Sequence, residues 1–211
     1  MRFPRLAVVP VAVAMLLAAG GSHAAQPTEK QIDEFTDAIV SLLPLGTIME
    51  TAAAADPRWP VQDAAPDAIT PEQLACLRRE LNADGFRRYK RSEVAEYLKT
   101  HGGNVQEEIA LTRQAAPLLS SFMMAGAASA DSKQEVDVSA LIGKADADEL
   151  LAMVSLARDP KYRALRELTG MGEAMSGEAP SEDNQRTGEM IAIKAMFHGF
   201  KQCNVSPGAV M

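Results

Sequence analysis

The chain has 211 residues, with 28 acidic and 21 basic side chains and a formal net charge of −7. That balance excludes nucleic acid and anionic lipid as default partners, since both carry the same sign. Only 5% of the residues are aromatic, while alanine, leucine and methionine are plentiful; these residues form and pack helices, so the composition predicts an all-α fold.

Residues 1–24 open with Arg2 and Arg5, continue with an uncharged run from Leu6 to Ala19, and end in the small-x-small tripeptide Ser22-His23-Ala24. This is the pattern of a secretory signal peptide cleaved near Ala24. The run is shorter than the roughly 18 residues that span a bilayer, so no membrane anchor is expected in the mature form. Gly20-Gly21-Ser22 supplies no cysteine for a lipid anchor, and the expected destination is the periplasm or the medium. Cleavage removes two bases and no acids, leaving 19 bases against 28 acids, a net −9. Residues 25–211 read as a single helical domain with one core.

Between Thr28 and Ala55, Ile32, Phe35, Ile39, Leu42 and Leu43 recur at helical spacing, and Pro44 breaks or bends the run before Ile48 and Met49. The proline-rich stretch from Asp56 to Ala68 is a connector carrying the only tryptophan, Trp59, either a plug on the core or an anchor for a partner. Thr70, Pro71 and Gln73 make a helix start, followed by the stripe Leu74, Leu77 and Leu81 with Cys76 at its edge. After the break at 82–85 a second helix turns Phe86, Val94, Tyr97 and Leu98 inward and stops at His101-Gly102-Gly103.

Asn104 then caps a helix that is apolar on more than one side and contains Pro117, which reads as central, buried and bent. Residues 128–140 are polar and form a second connector. Asp146 caps a helix bearing Leu150, Leu151, Val154 and Ala157, and Asp159-Pro160 caps another bearing Tyr162, Leu165 and Leu168. Residues 169–185, rich in glycine, read as a loop. A last helix, from about Glu182 to Cys203, packs through Met190, Ile193, Met196, Phe197 and Phe200. The expectation is an irregular bundle of six to eight helices pinned by one disulfide.

The segment Glu149 to Leu165 resembles the signature of a family of small exported bacterial helical domains of unknown function, in which Glu-Leu is followed by Phe-Tyr-x-Ser-Pro-x-Gly. Glu149, Leu150 and Pro160 match in register, while Leu156, Ala157, Asp159 and Tyr162 stand where that family prefers Phe, Tyr, Ser and Gly. The resemblance covers some twenty residues. It implies an all-helical exported domain with no assigned catalytic residues.

The candidate chemistry is sparse. His101, His198, Cys76 and Cys203 lack the close ligand pairs of a structural zinc site, and 145–149 lacks the glycine and distal glutamate of a calcium loop, so neither metal nor cofactor is expected. On one helix His198 and Cys203 stand about 140 degrees apart, which disfavours a catalytic dyad and leaves His198 on the solvent side with Lys194 and Lys201. Two cysteines in an exported chain favour a Cys76–Cys203 disulfide. Ser120 and Ser121 have no neighbouring base, and Glu107 and Glu108 read as compensation of a helix dipole, although a carboxylate pair drawn from distant positions stays open.

Charge is the one uneven feature. From Arg78 to Lys99 seven bases face four acids, a net +3 in a chain that is otherwise acidic. This is either a solvated hairpin laced with i,i+4 pairs or a basic patch, centred on Arg87, Arg88, Lys90 and Arg91, for an acidic partner or cell-wall polymer. The functional expectation is a non-enzymatic interaction protein of the envelope whose partner is another protein, in concrete form an immunity or inhibitor protein that neutralises an envelope-targeted toxin or hydrolase. The alternatives are a cell-wall hydrolase and a folding or assembly factor with an apolar groove lined by Met123, Met124, Met171 and Met175.

Overall fold

In a computed structural model, residues 26–61, 68–132, 135–172 and 181–209 are described; the segment 1–24 read as a signal peptide, the connector residues 62–67, and Met175 lie outside them. Eight α-helices of seven residues or more, and one of five, make up the described fold: α1 (Glu29–Leu42), α2 (Leu45–Ala55), α3 (Pro71–Leu81), α4 (Ala83–His101), α5 (Val105–Ser132), the short α6 (Val138–Ile142), α7 (Ala147–Arg158), α8 (Arg163–Thr169) and α9 (Ser181–Gln202). No strand occurs among the described residues, and the fold is all-α.

The helix starts follow from local chemistry. Thr28, Thr70 and Asp146 each accept from the backbone N–H three residues on, while Gln31, Gln73 and Glu149 reach back to the cap N–H, so two orphan donors are satisfied at each end. α1 and α2 are one apolar run bent by 56° at Leu43-Pro44, where proline supplies no N–H to continue the ladder. Asn104, expected as a cap, instead closes the single 3₁₀ turn Gly102–Asn104 before α5.

α1 lies against both α4 and α5, α7 covers α5, and α2, α3 and α8 pack on α4. Phe35, Ile39, Leu42, Leu43, Phe86, Val94, Leu156 and Leu165 form the fully buried centre of the main core, and Trp59 packs against it half-buried. A smaller cluster of Leu77, Phe200, Cys203 and Val205 sits at the seam of α3 and α9. The Cys76–Cys203 bond, with sulfurs 2.07 Å apart, joins that seam across 127 residues of sequence.

Two close approaches need glycine for space. A Cβ on Gly85 would stand 2.2 Å from the Glu80 carbonyl oxygen, and one on Gly46 would stand 2.7 Å from the Ala83 Cα. The α3–α4 corner and the seat of α2 against it therefore close only because neither position carries a side chain.

Three expectations are corrected. α5 persists to Ser132 and α6 forms at Val138–Ile142, inside what reads in sequence as one connector. α5 is buried only in its first part: beyond Leu118 no described side chain of the helix is fully covered. On α7 and α9 the inward faces differ in part from the expected ones, although Phe200 is buried and Met196 packs against both clusters as expected. Leu151 is 64% and Val154 55% exposed, and Met190 is 48% and Phe197 43% exposed, while Ala152, Leu156, Ile191, Ala195 and Phe200 turn inward. Small residues contribute to this rotation: a Cβ at Gly199 would already touch Leu81 Cδ2 at 3.3 Å, so α9 seats Gly199 beside Phe200 against α3 and leaves Met190 and Phe197 outside.

Candidate functional site

The basic stretch of α4 is tied down residue by residue. Arg87 Nε donates to Asp37 Oδ1 at 2.7 Å, and Arg91 Nε donates to Asp33 Oδ1 at 2.8 Å while its Nη2 reaches Glu29. Acids four residues apart on α1 thus meet bases four residues apart on α4, in antiparallel order. The Arg91 hydrogen bond holds the Asp33 carboxyl below the ordinary aspartate range. Arg88 Nη2 donates to Glu80 Oε1 at 3.1 Å. These contacts cross between helices and are not the i,i+4 pairs of a solvated hairpin.

Lys90 is not at the surface. It is 4% exposed, and its Nζ donates to Glu93 Oε2 at 2.7 Å and to the Leu168 carbonyl at 3.4 Å, above the rings of Phe86 and Tyr89. Tyr89 donates its hydroxyl to the other Glu93 oxygen at 2.7 Å, and burial followed by that bond pushes the phenol well above its usual pKa. His198 stacks on Tyr89 with centroids 4.5 Å apart and is half-buried, whereas its expected companions Lys194 and Lys201 are exposed. A cavity of about 40 Å³ lies beside this cluster, between α4, α8 and α9, with space for about one water.

Trp59 is held through its backbone: Arg78 Nε donates to the Trp59 carbonyl at 3.1 Å and Nη2 to the Asp56 carbonyl at 2.8 Å. Cys203 is bonded to Cys76, which removes it as a nucleophile. Ser120 and Ser121 both donate to the Pro117 carbonyl, at 3.2 and 2.7 Å. Of the methionines proposed for a groove, Met171 belongs to the core, Met123 is half-buried and Met124 is exposed.

A second polar cluster, not read from the sequence, surrounds the start of α5. Tyr97 donates to Glu108 Oε1 at 2.8 Å, and Glu108 Oε2 is buried with no partner among the described residues. Burial raises the Glu108 pKa. The adjacent Glu107 accepts from Lys161 and, at 2.8 Å, from the Tyr162 hydroxyl; the Lys161 bond lowers its pKa. Neighbouring carboxyls with opposite shifts suggest an acid–base pair. The Glu108 carboxyl, however, is sealed against solvent, and adjacent residues on a helix point about 100 degrees apart, so no substrate bond fits between the two. The signal available in sequence was Tyr97 at a helix end, eleven residues before Glu108. Among the described residues no group of three or more His, Cys, Asp or Glu side chains could hold a metal ion.

Shallow clefts run along α5. One of about 200 Å³ is lined by Pro117, Leu118 and Ser121 of α5 with Lys144 and Glu149, and one of about 300 Å³ by Ala125, Ala128 and Ser129 with Glu135, Asp137 and Ala140. Both reach Leu141 of α6. No family model, curated protein or solved structure matches this chain.

Proposed function

We propose that the chain is an exported, non-enzymatic interaction protein of the cell envelope, acting in its most concrete form as an inhibitor or immunity protein that neutralises a toxin or hydrolase delivered there. The observation that carries this reading is a division of labour among side chains. The α4 bases, Lys90 with Glu93, and Glu107 with Lys161 are closed on partners within the fold, while large apolar side chains stand on outer faces: Leu151 and Val154 on α7, Met190 and Phe197 on α9, and Val138 and Ile142 on α6. Exposed apolar side chains grouped on helix faces belong to surfaces that meet other proteins. The signal-peptide pattern of residues 1–24, the acidic balance and the local likeness of Glu149–Leu165 to exported helical domains support the envelope setting.

A hydrolase acting on cell wall needs two carboxyls flanking a bond in an open cleft. The described pair with split pKa directions, Glu107 and Glu108, is closed. The test is affinity capture from periplasmic extract with the tagged, disulfide-bonded chain, beside Leu151→Asp/Val154→Asp, Met190→Asp/Phe197→Asp and Val138→Asp/Ile142→Asp variants. The expected result is one stoichiometric partner that at least one variant loses, and a deletion strain sensitised to that partner. Retention of nothing above the bare resin, with unchanged sensitivity of the deletion strain, sinks the reading.

A further inference from the structure

The second half of α5 is an unusual element in this fold. From Gln114 to Ala130 it carries no charged side chain, yet none of its described residues beyond Leu118 is fully buried, and Met124 is exposed. The five-residue α6 lies along it with none of its own residues buried. Between them lie the two clefts, about 200 and 300 Å³, both bordered by Leu141. From Pro117 to Ser129 the α5 residues that line the two clefts span about 18 Å at 1.5 Å per residue, the length of about three turns of an opposing helix. The wider cleft is floored by alanines and a serine, which let another helix approach closely.

The charge along the cleft has one dominant sign. Glu135 and Asp137 line the wide end, and Glu149 lines the other together with Lys144, so three acids face one base. Asp137 caps Ala140 N–H and Glu149 reaches the Asp146 N–H, contacts that leave their charge in place. Among the described residues no ion pair engages any of the three, in contrast to the α1 acids that α4 neutralises.

We propose that the α5–α6 cleft seats a cationic amphipathic helix presented by a partner protein. Apolar side chains at i, i+4 and i+7 of that helix enter the cleft over Ala125, Ala128 and Leu141, and its flanking Lys or Arg residues meet Glu135 and Asp137 at one end and Glu149 at the other. This rests on the interaction role proposed above and adds its address and the partner's chemistry.

The probe is a synthetic lysine–leucine peptide of about four helical turns, its scrambled isomer of equal charge, and a glutamate–leucine counterpart, titrated by fluorescence anisotropy into the disulfide-bonded chain. The amphipathic lysine peptide is expected to bind at least about tenfold more tightly than its isomer, to weaken as salt rises toward about 0.5 M, and to leave the glutamate peptide unbound. Ala128→Trp fills the cleft from an exposed position and is expected to cost about tenfold or more. Glu135→Gln with Asp137→Asn keeps the α6 cap, removes two charges and is expected to cost a smaller factor. Equal binding of the two cationic isomers, or unchanged binding by Ala128→Trp with an unchanged circular dichroism spectrum, overturns the assignment. A natural partner retained equally by wild type and Ala128→Trp overturns the cleft and leaves the interaction role standing. An extract that yields no partner, beside a peptide that binds as expected, does the reverse.

Discussion

Arg87 Nε and Asp37 Oδ1 meet at 2.7 Å across fifty residues of sequence, and one helical turn further along α4 Arg91 meets Asp33 and Glu29. This ladder converts an apparently basic patch into the fastening between α1 and α4. Exposed pairs of this kind are individually weak and screened by salt. Asp33→Asn is expected to lower the melting temperature more at low salt than at high salt. The folded-state pKa of Asp33 is depressed, so its contribution is present above the unfolded value and disappears as pH falls through the folded one. Thermal melts of wild type and Asp33→Asn should therefore converge toward acid.

Lys90 and Glu93 are asymmetric partners, because the lysine side chain is 5% and the glutamate 34% exposed. Glu93→Ala strands a buried ammonium and removes the acceptor of the Tyr89 hydroxyl, and is expected to cost about 3 kcal/mol. Lys90→Met leaves Glu93 free to find water and is expected to cost about 1 kcal/mol or less. Urea unfolding of the two variants decides the order; equal losses would mean that the pair acts as an ordinary surface bridge.

Glu107 and Glu108 predict opposite pH responses from adjacent positions. The Glu108 pKa is raised in the fold, so the unfolded chain ionises first and stability falls as pH climbs from the unfolded to the folded value. Glu107 is lowered by Lys161, and its contribution is lost as pH falls through its folded value. Glu108→Gln is expected to flatten the decline above the acid range, and Glu107→Gln to flatten the loss on the acid side, both read from stability against pH.

The Cys76–Cys203 bond closes 127 residues, for which chain entropy alone gives about 4 to 5 kcal/mol. Reduction is expected to lower the melting temperature and to loosen the α3–α9 seam first, seen as faster amide exchange around Leu77 and Phe200. Two free thiols in the oxidised, purified protein would refute the pairing.

Glycines separate tight corners from open ones. Gly85→Ala forces a Cβ into the Arg79 and Glu80 carbonyls and is expected to cost about 3 kcal/mol, at the upper end of overpacking effects. Gly126→Ala meets nothing within 4 Å on α5 and is expected to stabilise by about 0.5 to 1 kcal/mol. Melting temperatures moving in the same direction for both would contradict this geometry.

Much of the fold was legible because its causes are local. A cap at Thr70 needs only Gln73 three residues on, the α1–α2 bend needs only Pro44, and the cysteine pairing follows from an even count in a chain whose first residues read as a signal peptide. The candidate sites were less legible. Arg87, Arg88, Lys90 and Arg91 read alike in sequence, yet three end in ion pairs between helices or across the α3–α4 corner and one is buried. Helix register decides between those outcomes, and it is set by how α1 and α4 pack.

The same holds for the apolar faces of α7 and α9. Both helices carry apolar residues on more than one side, so periodicity leaves the inward face undecided. Ala152, Ala195 and Gly199 helped to decide it, because small residues admit the closest approach of neighbouring helices and send Leu151, Val154, Met190 and Phe197 outward. The sequence by itself determined most of the helices and their starts, α6 and the turn at Gly102–Asn104 excepted, and the cysteine pairing, through interactions a few residues long or through an even cysteine count. Only the tertiary structure decided which charges are consumed within the fold, which apolar surface remains free, and where α5 leaves the core, because each depends on packing between segments far apart in the chain.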